Sequence, residues 1–200
     1  MIKQIIFDCG GVFVDIQFLQ LMQQLTGSPE KAQDFYDKLF LADSPWLKYD
    51  RGLCDTEEVY HLLRACLPEE DHMALRAFMD QWPHWLPTFP GMENIIDQLH
   101  EAGYKCYLLS NFSHRFEEFL PLCPALAHLD GKVISYQVKM SKPQREIFDH
   151  AAKTFGILPE ETLFVDDTER NVQSAREAGF QAYHFQTPRN CAPTCIHWGF

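Results

Sequence analysis

Short apolar runs alternate with stretches of helical periodicity in the second half of the chain. The apolar runs predict strands over residues 104–109, 132–136, 162–165 and 181–185. The periodic stretches predict helices over residues 92–102, 144–155 and 169–178. A further apolar run, Ile2–Phe7, lies near the N-terminus and ends abruptly at a carboxylate, Asp8. Alternating strands and helices are typical of a parallel α/β sheet, and we expect Ile2–Phe7 to join it.

Residues 16–90 interrupt this pattern, because apolar residues recur there at helical spacing. Ser28 and Asp55 occupy N-cap positions ahead of two of these periodic stretches. A run rich in tryptophan and proline, residues 82–91, closes the region and marks a boundary. We therefore predict that residues 16–90 form a helical insertion in the α/β sheet.

The composition is ordinary for a globular protein, with 46% apolar and 22% charged residues among 200. A formal net charge of −11 argues against nucleic acid as a partner, because no basic surplus would neutralise phosphates. We find neither an apolar run near the ~20 residues of a membrane helix nor a signal peptide, so we expect a cytoplasmic protein with no membrane partner. The seven cysteines are scattered, which fits that location. Cys191, Cys195 and His197 indicate a metal site only weakly, because the spacing offers no fourth ligand.

Polar side chains follow the predicted strands where those strands end. Asp8 follows the first strand, Ser110–Asn111 the second, Lys142 lies after the third, and Asp166–Asp167 follow the fourth. The carboxyl ends of parallel strands meet at one edge of a sheet, where ligands bind. Three carboxylates in one cleft would repel one another unless a cation lay among them. Hard oxygen ligands suit Mg²⁺, and hydroxyl, amide and ammonium donors suit phosphate oxygens.

Four motifs that carry these residues resemble those of the haloacid dehalogenase-like hydrolase superfamily. In chain order they read IIFDCGGVFVD, LLSNF, SKPQREIF and LFVDDTERN, and the likeness covers essentially the whole chain. The resemblance implies a Rossmann-like core with an inserted helical cap. We expect the core over residues 1–15 and 91–200 and the cap over residues 16–90.

The resemblance also implies a role for each residue at the strand ends. Asp8 would be the nucleophile and would form a phosphoaspartyl intermediate. Ser110 and Asn111 would bind the transferring phosphoryl group, and Lys142 would neutralise charge on Asp8 and on the phosphoryl oxygens. Mg²⁺ would be held by Asp8, the backbone carbonyl of Gly10, Asp166 and Asp167.

Gly10 departs from the Asp-x-Asp motif that phosphatases of this superfamily usually carry. The second aspartate protonates the leaving alcohol and then activates water, and such acid–base help is typically worth ~10²–10⁴-fold in rate. Its loss should slow turnover without abolishing it, and good leaving groups should suffer least. The Asp-x-Gly form resembles a branch that includes sugar-phosphate phosphatases. We therefore predict a Mg²⁺-dependent phosphatase acting on a small phosphorylated metabolite, with a sugar phosphate as one candidate.

Two alternatives keep the same fold. A 2-haloacid dehalogenase would also use Asp8 and would not need a second aspartate, but dehalogenases of this fold work without metal, which leaves Asp166 and Asp167 unexplained. The other alternative is a protein that binds a phosphorylated metabolite and whose catalysis is weakened by Gly10. The sequence leaves open the substrate, the group that replaces the missing acid, and the choice between monomer and homodimer. Arg51 could reach the substrate or pair with its neighbour Asp50.

Overall fold

A five-stranded, fully parallel sheet forms the centre of the computed structural model, which describes residues 1–40 and 44–186. The spatial strand order is β3-β2-β1-β4-β5. The strands are β1 (Gln4–Phe7), β2 (Lys105–Ser110), β3 (Gly131–Ile134), β4 (Thr162–Asp166) and β5 (Gln181–His184). This order confirms the predicted α/β class with a Rossmann-like sheet.

The central strand β1 is buried on both faces. Ile5 and Phe7 pack into one hydrophobic cluster, whereas Ile6 packs into a second cluster on the opposite face. Successive residues of a strand point to opposite faces, so an uninterrupted apolar run is what a doubly covered parallel strand requires. The chain extends from β1 to β2 and β3 on one side and then crosses to β4 on the other. The carboxyl ends of β1 and β4 therefore border a topological switch point, where ligands bind in such sheets.

Ten α-helices complete the part of the chain that the structure describes. Those between β1 and β2 are α1 (Phe18–Thr26), α2 (Pro29–Phe40), α3 (Pro45–Asp50), α4 (Thr56–Arg64), α5 (His72–Gln81) and α6 (Met92–Glu101). The later ones are α7 (Phe116–Phe119), α8 (Ser135–Val138), α9 (Arg145–Phe155) and α10 (Glu169–Glu177). No described helix is long and apolar enough to cross a membrane.

The helical character predicted for residues 16–90 agrees with α1 to α5. Asp55 caps α4 in a complete capping box with Glu58, as its position indicates. The short helix α3 was not predicted, although Ser44 and Pro45 supply its N-cap and first turn. The domain boundaries at residues 15/16 and 90/91 stay predictions.

The third strand is shorter than predicted and ends at Ile134, not at residue 136. Ser135 begins α8 instead, and its hydroxyl oxygen is 2.9 Å from the backbone nitrogen of Phe112, which donates to it. The Ser135 hydroxyl also lies within hydrogen-bond distance of the Asp50 carbonyl. These bonds join the end of β3 to the loop after β2 and to the end of α3. A Ser135 that continued the strand would not form both bonds.

Candidate active site

The ammonium of Lys142 joins the carboxylates at the ends of β1 and β4. Its Nζ is 2.7 Å from Asp8 Oδ1 and 2.7 Å from Asp166 Oδ2. Phe7 is in register with Val165, so Asp8 and Asp166 emerge side by side. The Lys142 side chain is 1% exposed, which makes these buried ion pairs. The structure thus brings together three of the residues predicted from the strand ends.

Asp166 is held by groups to which the sequence analysis gave no role. Thr168 donates its backbone N–H to Asp166 Oδ1 at 2.8 Å. Asn171 Nδ2 lies 3.1 Å from each oxygen of the same carboxylate. Asn171 lies in the first turn of α10 and is the last residue of the motif LFVDDTERN. Its place within that motif was the available signal.

Asn111 supports Lys142 directly. Its Nδ2 donates to the Lys142 carbonyl at 2.9 Å, and its Oδ1 accepts from the Lys142 backbone N–H at 2.8 Å. The side-chain amide therefore fixes the loop that carries the lysine. Ser110 is buried at the end of β2 and lines the same cavity as Asn111. Phosphate binding by Ser110 and Asn111 stays a prediction.

Three carboxylates form the strongest candidate metal site among the described residues. Asp8, Asp166 and Asp167 each offer an oxygen, and these oxygens lie within 4.8 Å of one another. An all-carboxylate set fits Mg²⁺, which prefers oxygen ligands and keeps several waters. Gly10 lines the adjoining cavity, and ligation through its carbonyl stays a prediction.

The electrostatics of this cluster favour the addition of a cation. Burial raises the pKa of Asp8 to about 7, with Lys142 opposing and Asp166 adding to the rise. Burial and the charge of Asp166 also raise the pKa of Asp167. Burial lowers the pKa of Lys142, but Asp166 and Asp8 outweigh it and the net shift is upward. The cluster thus has one ammonium for three carboxylates, and a divalent cation would reduce the remaining repulsion among the carboxylates.

Gly11 lets the first loop approach the metal cluster. Its φ is +68°, and a Cβ built there would lie 2.1 Å from Asp167 Oδ2. A side chain at this position would displace Asp167 as well as strain the backbone. The glycine therefore has two functions, a left-handed turn and clearance for a carboxylate.

Gly10 faces a different neighbour, Ile16. A Cβ at Gly10 would lie 2.6 Å from Ile16 Cδ1 and 3.5 Å from Ile16 Cγ1. Ile16 therefore occupies the space into which the second aspartate of an Asp-x-Asp motif would begin to extend. The obstacle is the end of a flexible side chain that is 46% exposed, so it is movable.

A cavity of about 680 Å³ opens from the carboxylate cluster toward α1, α2 and α3. Its catalytic end includes Asp8, Ser110, Asn111, Lys142 and Asp167. Its far wall is mainly aromatic and aliphatic, with these members: Ile16, Phe18, Tyr36, Leu39, Phe40, Trp46, Leu47, Trp82, Leu86 and Phe89. This volume holds a phosphoryl group together with a leaving group of metabolite size.

Asp50, at the end of α3, also lines this cavity. Burial raises the pKa of Asp50 to about 7, and a hydrogen bond with the Trp46 side chain partly opposes the rise. The adjacent Arg51 does not turn back to Asp50, because its Nε donates to Ser141 Oγ at 2.8 Å. Lys139 in turn donates to the Gly52 carbonyl. Residues 50–52 are thus joined to the loop that carries Lys142.

The side chains that follow the second motif contact the helical region. Arg115 is buried and donates to the carbonyls of Met79 and Asp80. His114 Nε2 lies 3.1 Å from Thr56 Oγ1. Neither residue lines the cavity among the described positions. Cys191, Cys195 and His197 lie outside the described residues.

The chain belongs to the haloacid dehalogenase-like hydrolase family, whose model matches residues 2–179. It is 29% identical to a D-ribitol-5-phosphate phosphatase from Bacteroides thetaiotaomicron, over 92% of this chain and 91% of the relative. It is 25% identical to a sesquiterpene phosphatase from Aspergillus oryzae, over 91% of this chain and 89% of that one. The predicted family and the predicted enzyme class are confirmed.

A solved structure shares the fold. It is a haloacid dehalogenase family enzyme from Bacteroides thetaiotaomicron in complex with magnesium and inorganic phosphate. The TM-score is 0.73 with 24% identity, covering 95% of this chain and 97% of that chain.

Gly11→Ala should weaken metal binding more than its effect on the backbone explains. We expect Mg²⁺ affinity, measured by calorimetry, to fall about tenfold or more, because Asp167 must move. Gly27→Ala is the matched control, since Gly27 has the same φ of +68° and no neighbour within 4 Å. Both variants should lose about 1–2 kcal/mol of unfolding free energy. Equal metal affinity in the two variants would contradict the role given to Gly11.

Asp50→Asn should change the pH dependence of stability. The folded-state pKa of Asp50 is raised to about 7 from 3.8, so its ionisation destabilises the folded state as pH rises through that interval. The variant should match the wild type in unfolding free energy near pH 4. At higher pH its unfolding free energy should exceed that of the wild type by a growing amount. The gain should reach a plateau, on the order of 1 kcal/mol or more, above pH 7. Denaturant unfolding at several pH values measures it, and a difference independent of pH would count against a buried, titrating Asp50.

Proposed function

We propose that the protein is a Mg²⁺-dependent phosphatase that hydrolyses a small phosphorylated metabolite through a phosphoaspartyl intermediate. The observation that carries this proposal is the cluster of Asp8, Asp166 and Asp167 with Lys142 at one end of a cavity. A dehalogenase of this fold also needs a carboxylate nucleophile but works without metal, so it leaves the paired acids Asp166 and Asp167 poorly explained. The confirmed family, and relatives named as phosphatases, support the same reading.

Asp8 is the proposed nucleophile. Its Oδ1 accepts from the Cys9 backbone N–H at 2.6 Å and pairs with Lys142 Nζ at 2.7 Å. Among the contacts of the described residues, both fall on Oδ1, so Oδ2 is the oxygen that attacks phosphorus. The ester oxygen leaves with its electron pair and takes a proton from water, because Gly10 supplies no side-chain acid. Water then attacks the phosphorus, the bond between Asp8 and phosphorus breaks, and inorganic phosphate leaves as Asp8 is regenerated.

The residues around Asp8 stabilise the charge that develops on the phosphoryl oxygens. Lys142 is held by two carboxylates and by Asn111, so its ammonium needs little reorganisation during reaction. Ser110 supplies a hydroxyl donor from the neighbouring strand end. Asp8, Asp166, Asp167 and the Gly10 carbonyl would hold Mg²⁺. When bound, this ion supplies further neutralisation of phosphoryl charge.

The leaving group is proposed to be a small alcohol, with a sugar or polyol as one candidate. Gly10 provides no side-chain acid, which favours alcohols that need protonation least. The D-ribitol-5-phosphate phosphatase relative points in the same direction. A cytoplasmic location and a monomeric or homodimeric state stay predictions.

The purified protein should hydrolyse p-nitrophenyl phosphate in the presence of Mg²⁺. EDTA should abolish this activity and Mg²⁺ should restore it. Asp8→Asn should lower kcat by about 10³-fold or more, because the amide cannot act as the nucleophile. Asp37→Asn, on an exposed helix face, is the control and should keep full activity. Release of chloride from 2-chloropropionate without metal would favour the dehalogenase alternative, and no turnover of any ester would favour the binding-protein alternative.

Restoring the missing acid should work best with two substitutions. Gly10→Asp alone requires the exposed end of Ile16 to move aside, so we expect a smaller gain from it than from the double variant. Gly10→Asp with Ile16→Ala makes room, and kcat for a poor leaving group such as an alkyl phosphate should rise about tenfold or more. Activity on p-nitrophenyl phosphate should change much less, because p-nitrophenolate leaves without a proton. Ile16→Ala alone is the control for the loss of the isoleucine. Equal gains on both esters would contradict a role in leaving-group protonation.

A further inference from the structure

The charges that line the cavity are strongly unequal. Its described lining residues include the carboxylates Asp8, Asp15, Asp50 and Asp167, against one cationic side chain, Lys142. That lysine is already paired with Asp8 and with Asp166 behind it. Lys142 lies at the phosphoryl end, where the carboxylates would also hold Mg²⁺, so both would serve the phosphate and not a second anionic group of the substrate.

The wall around the leaving group contains a continuous row of aromatic rings. Ring centroids are 5.0 Å apart between Phe40 and Trp46, 5.4 Å between Trp46 and Trp82, and 5.2 Å between Trp82 and Phe112. This row of rings extends from α2 to the residue after Asn111. Rings packed in this way are rigid, and they offer faces to C–H groups or to an aromatic ring.

An anionic group on the leaving alcohol would lose water against this wall and would meet no cationic side chain there, because the only cation among the described lining residues is the paired Lys142. Asp50 and Asp15 would repel it whenever they are ionised. The net charge of −11 acts in the same direction at longer range. A neutral alcohol escapes the charge repulsion, and its hydroxyl groups lose less hydration free energy than an anion does.

On the basis of this geometry and of the proposed phosphatase activity, we propose that the enzyme selects phosphate monoesters of uncharged alcohols and rejects esters whose alcohol carries a carboxylate or a second phosphate. Discrimination resides in the cavity wall formed by residues of α1, α2 and α3. The phosphoryl site itself treats both kinds of ester alike. The inference therefore concerns substrate class and rests on the function proposed above.

Two matched pairs of esters test this selection. D-Glucitol 6-phosphate and 6-phosphogluconate differ only at the far end, where a CH₂OH replaces a carboxylate. Phenyl phosphate and 4-carboxyphenyl phosphate repeat the comparison on a flat ring. We expect kcat/KM, measured with Mg²⁺, to be about tenfold or more higher for the neutral member of each pair. Equal values, or a preference for the anionic member, would overturn the proposal.

A cation added to the wall should relax the selection. Leu47 lines the cavity and is 44% exposed, so Leu47→Lys places an ammonium there with little cost in packing. This variant should raise kcat/KM for 6-phosphogluconate relative to D-glucitol 6-phosphate by about fivefold or more. Leu47→Gln is the control of similar size without charge, and its ratio should stay at the wild-type value. The same ratio in the lysine and glutamine variants would overturn the assignment of discrimination to this wall.

Failure of this inference and failure of the proposed function give different results. Mg²⁺-dependent hydrolysis of p-nitrophenyl phosphate without discrimination within the pairs would overturn the inference alone. If no ester is hydrolysed, the proposed function fails, and binding still tests the inference. Calorimetry on the Asp8→Asn variant with Mg²⁺ should then show the same order of affinity within each pair, and the reverse order would overturn it.

Discussion

The buried contact of Lys142 with Asp8 and Asp166 is the constraint around which the rest of the site is arranged. A buried ion pair costs desolvation, and it is tolerated only where geometry and further hydrogen bonds satisfy both partners. Here Asn111 fixes the lysine backbone from β2, while Thr168 and Asn171 satisfy Asp166 from α10. Three strand ends are thereby connected through Lys142, two by its ammonium and the third by its backbone. Removing Lys142 would leave two acids buried side by side without their cation.

The helical region depends on the same loop. Arg51 bonds to Ser141, one residue before Lys142, and Ser135 and Lys139 bond to the carbonyls of Asp50 and Gly52. Three consecutive residues at the end of α3 are thus joined to the segment between β3 and α9. The wall of the cavity and the charged end of the site therefore keep a defined distance from each other. This fixed distance matters for substrate selectivity, because a wall that moved freely would let water solvate an anionic leaving group.

Much of this arrangement could be predicted because it follows from strand ends and register. Asp8 and Asp166 could be placed at the same edge of the sheet from the sequence, since parallel strands have their carboxyl ends at one edge, but the strand order that puts them side by side came from the structure. The support from Asn171 could not be predicted, because it depends on how the side chain at the start of α10 is oriented. Nor could the clearance that Gly11 gives Asp167, because it depends on a contact between distant segments. The end of β3 was misplaced by two residues for a related reason. Ser135 looks suitable for a strand, but its hydroxyl is used by two other loops.

The contact between position 10 and Ile16 has an evolutionary consequence. In this chain the two positions are not independent, because an aspartate at position 10 would meet the side chain of Ile16, six residues further along the chain. A single substitution toward Asp-x-Asp would therefore have to displace the Cδ1 end of Ile16, which its exposure allows at small cost. The residue at position 16 would then set how much catalytic benefit an acid at position 10 brings, so natural selection should act on the two positions as a pair.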